Sequence, residues 1–342
     1  MVDTKNGSLG RAFSDVFELA TWLGDQSKHI QDFSSLDPNA FDQMTTHPPA
    51  LSGKVSSYRT EWPVGQPKAG TSRLVLEGTN EFVSLTRTAD GGKRNWQDLP
   101  DFTAQLVLHH SGGGGNKGKR FLELVKLKPA LATQVLAALA TLPKDLVACH
   151  IRQTDMSVDA GRFLEALNQH VSGRPVLICS DDIALRAKSQ VALSNAGAVI
   201  FASDLPDLKG ARLHGHPSYW SKDEALVALL VDLFAIASAS EFVFPHAYEA
   251  AMNVERFSGF AVLADNLRLD PTAQKSLLSL GDPKLLTHVF RDGPPSAKRR
   301  SQLVQKLRSA YPEMTKIEER RKKERTRLND PRRWATRLTN KL

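Results

Sequence analysis

Short apolar runs alternate with helix-like segments along the second half of the chain, from residue 129 onward. The apolar runs are LVACHI, PVLICS, AVIF, EFVF and FAVLAD. The segments between them, whose apolar residues recur at helical spacing, are 160–171, 183–196, 223–239 and 247–257. Strands that alternate with helices in this way form a parallel sheet with helices on both faces, and continuously apolar strands fit that burial. The sequence therefore predicts an α/β fold with a doubly wound parallel sheet.

The first half of the chain has a weaker pattern. Residues 13–23 carry apolar residues at helical spacing and predict a helix. Residues 72–110 contain short strand-like runs, and residues 111–120, SGGGGNKGKR, are rich in glycine. Such a segment could cradle a phosphate, but it lacks the Gly-Lys-Ser/Thr that opens the helix of a P-loop. An ordinary surface loop is therefore the favoured interpretation of residues 111–120.

The positive charge of the chain is concentrated near its C-terminus. The whole chain carries a formal charge of +8 from 45 Lys/Arg and 37 Asp/Glu. Residues 296–342 hold 16 of the basic and 5 of the acidic residues, a net of +11, which leaves 29 basic and 32 acidic residues elsewhere, a net of −3. This distribution argues against a nucleic-acid-binding surface spread over the folded body. The basic tail fits either a solvated helix or a contact with an anionic membrane surface.

Composition also bears on the compartment. The two cysteines, Cys149 and Cys179, lie in apolar runs and are expected to be small core residues. Two cysteines give no disulfide framework, which favours a reducing compartment. The N-terminal residues MVDTKNGSLGRAF have no apolar segment of the kind found in a secretory signal. The apolar run 225–239 is interrupted by Asp232 and is too short to span a bilayer. These features predict a cytoplasmic protein.

Polar side chains follow several of the predicted strands directly. The first strand is followed by His-x-Arg-x-Thr-Asp, the second by Ser-Asp-Asp, and EFVF by Pro-His-Ala-Tyr. In an open α/β sheet, ligands bind at the carboxyl ends of the strands. An arginine there suits a phosphate, because its planar fork presents paired donors and a permanent charge; an ordinary surface salt bridge is the alternative. The candidate residues are His150, Arg152, Asp155, Ser180, Asp181, Asp182 and His246.

Three carboxylates raise separate questions. Asp232 lies in an otherwise apolar helix, where burial costs several kcal/mol unless the carboxylate is paired. It would suit two adjacent N–H donors, as on the edge of guanine; a helix face that reaches solvent is the alternative. Asp181 and Asp182 could bind Mg²⁺, but neighbouring residues at a strand end point in opposite directions. We expect one of them to cap the next helix and the other to orient its neighbours, and predict no metal site.

Together these motifs resemble the superfamily of α1,6-fucosyltransferases and rhizobial nodulation fucosyltransferases, which includes the protein O-fucosyltransferases. The resemblance covers roughly residues 125–265. It rests on HIRQTD at 150–155, SDD at 180–182, LHGH at 213–216 and VDLFAIASASEFV at 231–243. It implies a GT-B architecture of two Rossmann-like domains and an inverting, metal-independent transfer of fucose from GDP-fucose to a glycan, with no cofactor. The implied division is an acceptor-side domain at 1–125, reduced or atypical, a nucleotide-sugar-binding domain at 126–295 and a basic helical tail at 296–342.

The resemblance also implies roles for individual residues. Arg152 would neutralise the diphosphate, braced by Asp155, and Asp159 would fall near the position of a base. The donor pocket would be formed by His150, Ser180, Asp182, Asp232 and His246, with His150 and Asp232 at the guanosine end. The expected partners are a nucleotide sugar and a glycan acceptor, no nucleic acid, and a peripheral anionic membrane through the tail.

The chain departs from the family pattern at several positions. Gln153 replaces a second arginine, Met156 replaces a lysine, and no Gly-Leu-Gly loop opens a first βα unit. Two alternatives therefore stand beside the fucosyltransferase prediction. One is the same fold with another nucleotide sugar, and the other is a non-catalytic protein that binds a nucleotide sugar or glycan.

Overall fold

A computed structural model of the chain describes residues 16–19, 42–47, 49–54, 57–61, 73–76, 82–84, 106–107, 115–123, 125–153, 158–204, 223–245, 247–249 and 254–291. The strands are β1 Phe17–Leu19, β2 Thr46–His47, β3 Tyr58–Glu61, β4 Arg73–Leu76, β5 Phe82–Ser84, β6 Leu106–Val107, β7 Val125–Leu127, β8 Val147–Ile151, β9 Pro175–Ser180, β10 Ala198–Ile200, β11 Glu241–Val243, β12 Ala247–Glu249 and β13 Val254–Arg256. The helices are α1 Gly115–Leu122, α2 Pro129–Ala140, α3 Ala160–Val171, α4 Ile183–Ala192, α5 Asp223–Ser238, α6 Gly259–Arg268, α7 Pro271–Leu277 and α8 Pro283–Val289, and a 3-10 turn covers Pro49–Leu51.

The predicted α/β fold is confirmed by a four-stranded parallel sheet. Its strands lie in the order β10-β9-β8-β11, and β8 pairs with β9 over its whole length, with Cys149 opposite Ile178. The chain runs outward from β8 to β10 and then returns to place β11 on the other side of β8. Such a reversal between β8 and β11 is the topological switch point at which α/β sheets bind ligands. The sheet is therefore compatible with a Rossmann-like domain.

Helices cover both faces of this sheet because alternate strand residues point to opposite sides. Cys149 and Ile151 of β8 pack into a core with α3 and α4. Ala148, the residue between Val147 and Cys149, packs into the other core, which α2, α5 and α6 complete. Both cysteines are buried and free, as predicted.

Four helices of the second half begin at an aspartate whose carboxylate accepts a hydrogen bond from a backbone N–H of the first turn. This arrangement satisfies donors that have no partner within the helix, which is why aspartate favours the position. The capping residues are Asp159, Asp182, Asp270 and Asp282. The sequence predicts that one of Asp181 and Asp182 caps the next helix, and in the structure Asp182 has this role.

Several predicted elements are wrong. FAVLAD is the start of α6 rather than a strand, because Ala261, Ala264 and Leu267 form one buried face at helical spacing. Instead of a helix over 247–257, the described parts of this segment are β12 and β13, which pair antiparallel. Residues 17–19 form β1 rather than part of a helix.

The loop prediction for the glycine-rich segment is also wrong over residues 115–120, since α1 begins at Gly115. That residue has φ +59°, which glycine adopts without strain. At Gly118 a Cβ atom would lie 3.3 Å from the Leu263 side chain of α6. The glycine at position 118 therefore allows α1 and α6 to pack closely.

The described strands before residue 115 form smaller sheets. The strands β3, β4 and β5 form an antiparallel sheet, and β2 pairs parallel with β6. The strand β1 pairs antiparallel with β7, and Val16 beside it belongs to the core that α2 and α5 share. The division into 1–125, 126–295 and 296–342 stays a prediction, and residues 292–342 lie outside the described part. No helix of the described ranges has the length and apolar character needed to cross a membrane.

Candidate functional site at the carboxyl edge of the sheet

The polar residues predicted to act together follow β8 and β9, which are neighbours in the sheet. His150 lies opposite Cys179 in the register, and Ile151 lies opposite Ser180. Side chains at directly opposed positions point to the same face. His150 and Cys179 therefore face the side of the sheet that α5 and α6 cover. The carboxyl ends of β8 and β9 thus place His150 and Cys179 side by side on one face of the sheet.

His150 is an uncharged hydrogen-bonding group at neutral pH. Its ring centroid lies 5.2 Å from that of Phe260 in α6. Burial lowers the pKa of His150 to about 4; the charge of Asp181 opposes the shift, and the charge of Arg152 adds to it. A neutral imidazole offers one donor and one acceptor. The positive charge at this end of β8 is therefore carried by Arg152.

The backbone after β8 is held by the second strand-end motif. The Gln153 N–H donates a hydrogen bond to Asp181 Oδ1 over 3.0 Å. This contact confirms that Asp181 orients its neighbours. The side-chain oxygen of Gln153 is buried and accepts no hydrogen bond from the described residues. An unsatisfied buried acceptor is costly, so this oxygen is a candidate ligand contact.

Ser180 and Asp182 mainly build the start of α4. Ser180 is buried, and its Oγ accepts from the Asp182 N–H over 3.2 Å. Asp182 Oδ1 in turn accepts from the Leu185 N–H over 3.2 Å. Asp159, the candidate base, is exposed and caps α3 through the Arg162 N–H at 3.1 Å. These capping bonds use one oxygen of each carboxylate.

Asp232 is mostly buried, rather than on a helix face open to solvent as the alternative interpretation required. Its side chain is 14% exposed, and its Oδ2 lies 3.7 Å from Nη2 of Arg186, which is 9% exposed. Arg186 also donates from Nε to the Ser180 carbonyl over 3.2 Å and from Nη1 to the Ser203 carbonyl. The guanidinium lies 5.5 Å from the Phe201 ring centroid. Arg186 thus joins the ends of β9 and β10 to α5.

The carboxylate of Asp232 remains only partly satisfied. Burial raises its pKa to about 6, while the charge of Arg186, the Ser203 hydroxyl and the Cys179 thiol act in the opposite direction. Its Oδ1 is buried and accepts no hydrogen bond from the residues that the structure describes. Burial also raises the pKa of Cys179 well above its ordinary value. The site therefore offers a buried acceptor atom beside an uncharged thiol.

The two shifted residues should affect the pH dependence of stability in opposite directions. Between pH 7 and 4.5, His150 becomes protonated more readily in the unfolded chain than in the fold. Its contribution therefore lowers the free energy of unfolding by about 2 kcal/mol over this range. Asp232 binds its proton more tightly in the fold than in the unfolded chain. Its contribution therefore raises the free energy of unfolding by about 2 kcal/mol over the same range. Relative to the unsubstituted protein, His150→Asn should therefore gain stability on acidification and Asp232→Asn should lose it.

Urea unfolding of the three proteins at pH 7 and 4.5 measures these differences. Any constant cost of either substitution cancels when the two pH values are compared. A difference from the unsubstituted protein that is the same at both pH values would contradict the inferred shifts.

Two predicted site residues, Asp155 and His246, lie outside the described residues, as does the LHGH motif at 213–216. Sequence reasoning missed Arg186 and Ser203, which the fold places beside Asp232. A signal for Arg186 existed, because an isolated carboxylate on an apolar helix implies a basic partner. Nothing in the sequence indicated which of the basic residues it would be. Within the described ranges, no group of three or more His, Cys, Asp and Glu is arranged to hold a metal ion.

Comparisons with protein-family models, curated proteins and solved structures find no match to this chain.

Proposed function

We propose that the chain is an inverting, metal-independent glycosyltransferase that takes its sugar from a GDP-sugar donor, with GDP-fucose as the first candidate. The observation that carries the proposal is the cluster at the carboxyl edge of the sheet. It combines a permanent positive charge, Arg152, and a neutral imidazole, His150, at the end of β8 with a buried carboxylate oxygen on Asp232, beside the ends of β9 and β10, that has no partner among the described residues. The resemblance of the strand-end motifs adds the donor class and the two-domain GT-B architecture.

Arg152 would act on the leaving group. In the proposed reaction an acceptor hydroxyl oxygen attacks the anomeric carbon while the bond from that carbon to the diphosphate oxygen breaks, which leaves negative charge on the diphosphate. A guanidinium fixed near that oxygen stabilises the developing charge. The hydroxyl proton passes to a carboxylate, for which Asp159 is the candidate. The imidazole of His150 is uncharged at neutral pH. Of His150 and Arg152, only Arg152 can therefore stabilise the charge on the diphosphate.

The guanosine end would be bound by His150 and Asp232. A guanine edge presents adjacent N–H donors, and Oδ1 of Asp232 is an acceptor that no described residue uses. The buried Oε1 of Gln153 is a second acceptor of the same kind. Ser180 and Asp182 shape the pocket from the start of α4, and His246 completes the residues assigned to the donor.

The acceptor is proposed to be a glycan, bound by the part of the chain before residue 126. A cytoplasmic location and a peripheral contact of residues 296–342 with anionic lipid remain proposals that rest on composition and charge. The membrane proposal is tested by deleting residues 296–342 and comparing sedimentation with vesicles that contain anionic lipid. Equal binding of the shortened and full chains would contradict it.

Nucleotide binding provides the direct test of the donor class. GDP at 100 times its dissociation constant should stabilise the protein by about 2.7 kcal/mol. UDP, ADP and CMP at the same concentration should shift the thermal unfolding temperature much less. No shift with GDP at millimolar concentration would contradict the donor assignment, while a larger shift with UDP would support the same fold with another nucleotide sugar.

A non-catalytic nucleotide-sugar-binding protein is the second candidate. It is favoured by Gln153, which puts an uncharged side chain where the related enzymes carry a second arginine. The two candidates differ in turnover rather than in binding. Both predict a thermal shift with GDP, but only the enzyme releases GDP from GDP-fucose when a glycan acceptor is present.

A further inference from the structure

A cavity of about 550 Å³ lies at the opposite end of the parallel sheet from the candidate site. It lies beside the end of α5, at Ala237 and Ser238, and extends over α6, α7 and α8. Two residues after Ser238, the backbone N–H of Ser240 donates a hydrogen bond to the carbonyl of Leu146, which lies just before β8. The cavity is therefore near the amino edge of the sheet, whereas Arg152 and Asp232 belong to the carboxyl edge. Its volume is in the range of small-molecule sites.

The charged side chains that line the cavity are all basic. They are Lys126, Arg268 and Lys275, and no acidic residue lines the wall. The Arg268 side chain is 8% exposed, and its Nη2 pairs with Asp265 Oδ1 at 2.9 Å. Its Nε and Nη1 are buried and donate no hydrogen bond to the described residues. Buried guanidinium donors without acceptors are costly, so Arg268 is poised to bind an anion.

Gln274 occupies two backbone carbonyls near Arg268, while the Asp265 carboxylate is held in its ion pair with Nη2. Gln274 Nε2 donates to the Ala237 and Leu267 carbonyls, over 3.1 and 2.8 Å, near the ends of α5 and α6. Those carbonyls would otherwise present partial negative charge to the cavity. The Ser238 hydroxyl is buried without a partner among the described residues. It is a further donor for a bound anion.

Part of the cavity lining is apolar. Leu286 and Val289 lie in α8, and Phe290 follows it. A ligand that contacts both Arg268 and α8 needs a charged end for the guanidinium and an apolar body for the helix.

We propose that this cavity is a second ligand site, which binds a small organic anion, a carboxylate or a phosphate ester, with its anionic group at Arg268 and its apolar body against α8. The site does not depend on the proposed sugar transfer, because it shares no residue with the carboxyl-edge cluster.

Isothermal titration of the full chain with phenyl phosphate, benzoate and inorganic phosphate tests the proposal. Phenyl phosphate or benzoate should bind at least about tenfold more tightly than inorganic phosphate, because the ring buries apolar surface against α8. Whichever of the two ligands binds more tightly identifies the anionic group. Absence of heat from both aromatic anions at millimolar concentration overturns the proposal.

Substitutions locate the bound anion. Arg268→Gln should weaken aromatic-anion binding at least about tenfold, and the exposed Lys275→Gln about threefold. Lys275→Gln keeps the test decisive if Arg268→Gln fails to fold. Lys284→Gln, which removes an exposed lysine of α8 outside the cavity lining, should bind like the unsubstituted protein. Binding that survives Lys275→Gln unchanged but is lost in Arg152→Ala would place the anion at the carboxyl edge and overturn the proposal.

Discussion

Replacing Arg186 by methionine is expected to lower the free energy of unfolding by about 3–5 kcal/mol, because it leaves the buried Asp232 carboxylate without its only charged partner among the described residues. The same substitution removes the donors that bind the Ser180 and Ser203 carbonyls at the ends of β9 and β10. Loss of the guanidinium charge should also raise the pKa of Asp232 further above about 6. Urea unfolding at pH 7 measures the cost.

Two further variants separate the ion pair from other effects. Lys188→Met removes an exposed basic side chain from the same helix, α4, and should change stability by less than about 0.5 kcal/mol. The double variant Arg186→Met with Asp232→Leu should recover much of the loss, since apolar residues often replace a buried pair without net cost. A double variant that is less stable than Arg186→Met alone would contradict the assignment of the cost to an unpaired Asp232.

Replacing Arg152 by alanine is expected to reduce sugar transfer by about 100- to 1000-fold if the proposed function holds, since one fixed donor at a developing charge contributes an effect of that size. His150 cannot compensate, because its pKa of about 4 leaves it neutral at the pH of the assay. The measurement is GDP release from GDP-fucose with a glycan acceptor. Retained turnover would contradict the role of Arg152.

Controls for this prediction follow from the structure. Arg152→Lys keeps the charge but not the planar fork and should recover only part of the activity. Lys188→Ala, on the exposed side of α4, should leave transfer unchanged. Circular dichroism of Arg152→Ala should show the secondary structure of the unsubstituted protein, which separates a loss of transfer from a loss of the fold.

The alternating pattern predicted the central sheet well because burial on both faces demands continuous apolar runs. The predicted helix 160–171 has the bounds of α3, and 223–239 ends one residue beyond α5. The strand predicted for FAVLAD was wrong, because a short apolar run does not distinguish a buried strand from a buried helix face. The loop predicted from the glycine-rich composition was wrong over residues 115–120. The composition does not reveal that Gly118 lets α1 pack closely against α6.

The sequence by itself determined the parallel sheet, an aspartate cap at the start of α4, and the placement of His150 and Arg152 at a strand end. These features depend on local periodicity and on the chemistry of neighbouring residues. Only the tertiary structure decided that Arg186, from the helix after β9, reaches Asp232, and that His150 loses its charge beside Phe260. Both outcomes depend on desolvation and on contacts between residues distant along the chain, which no local pattern encodes.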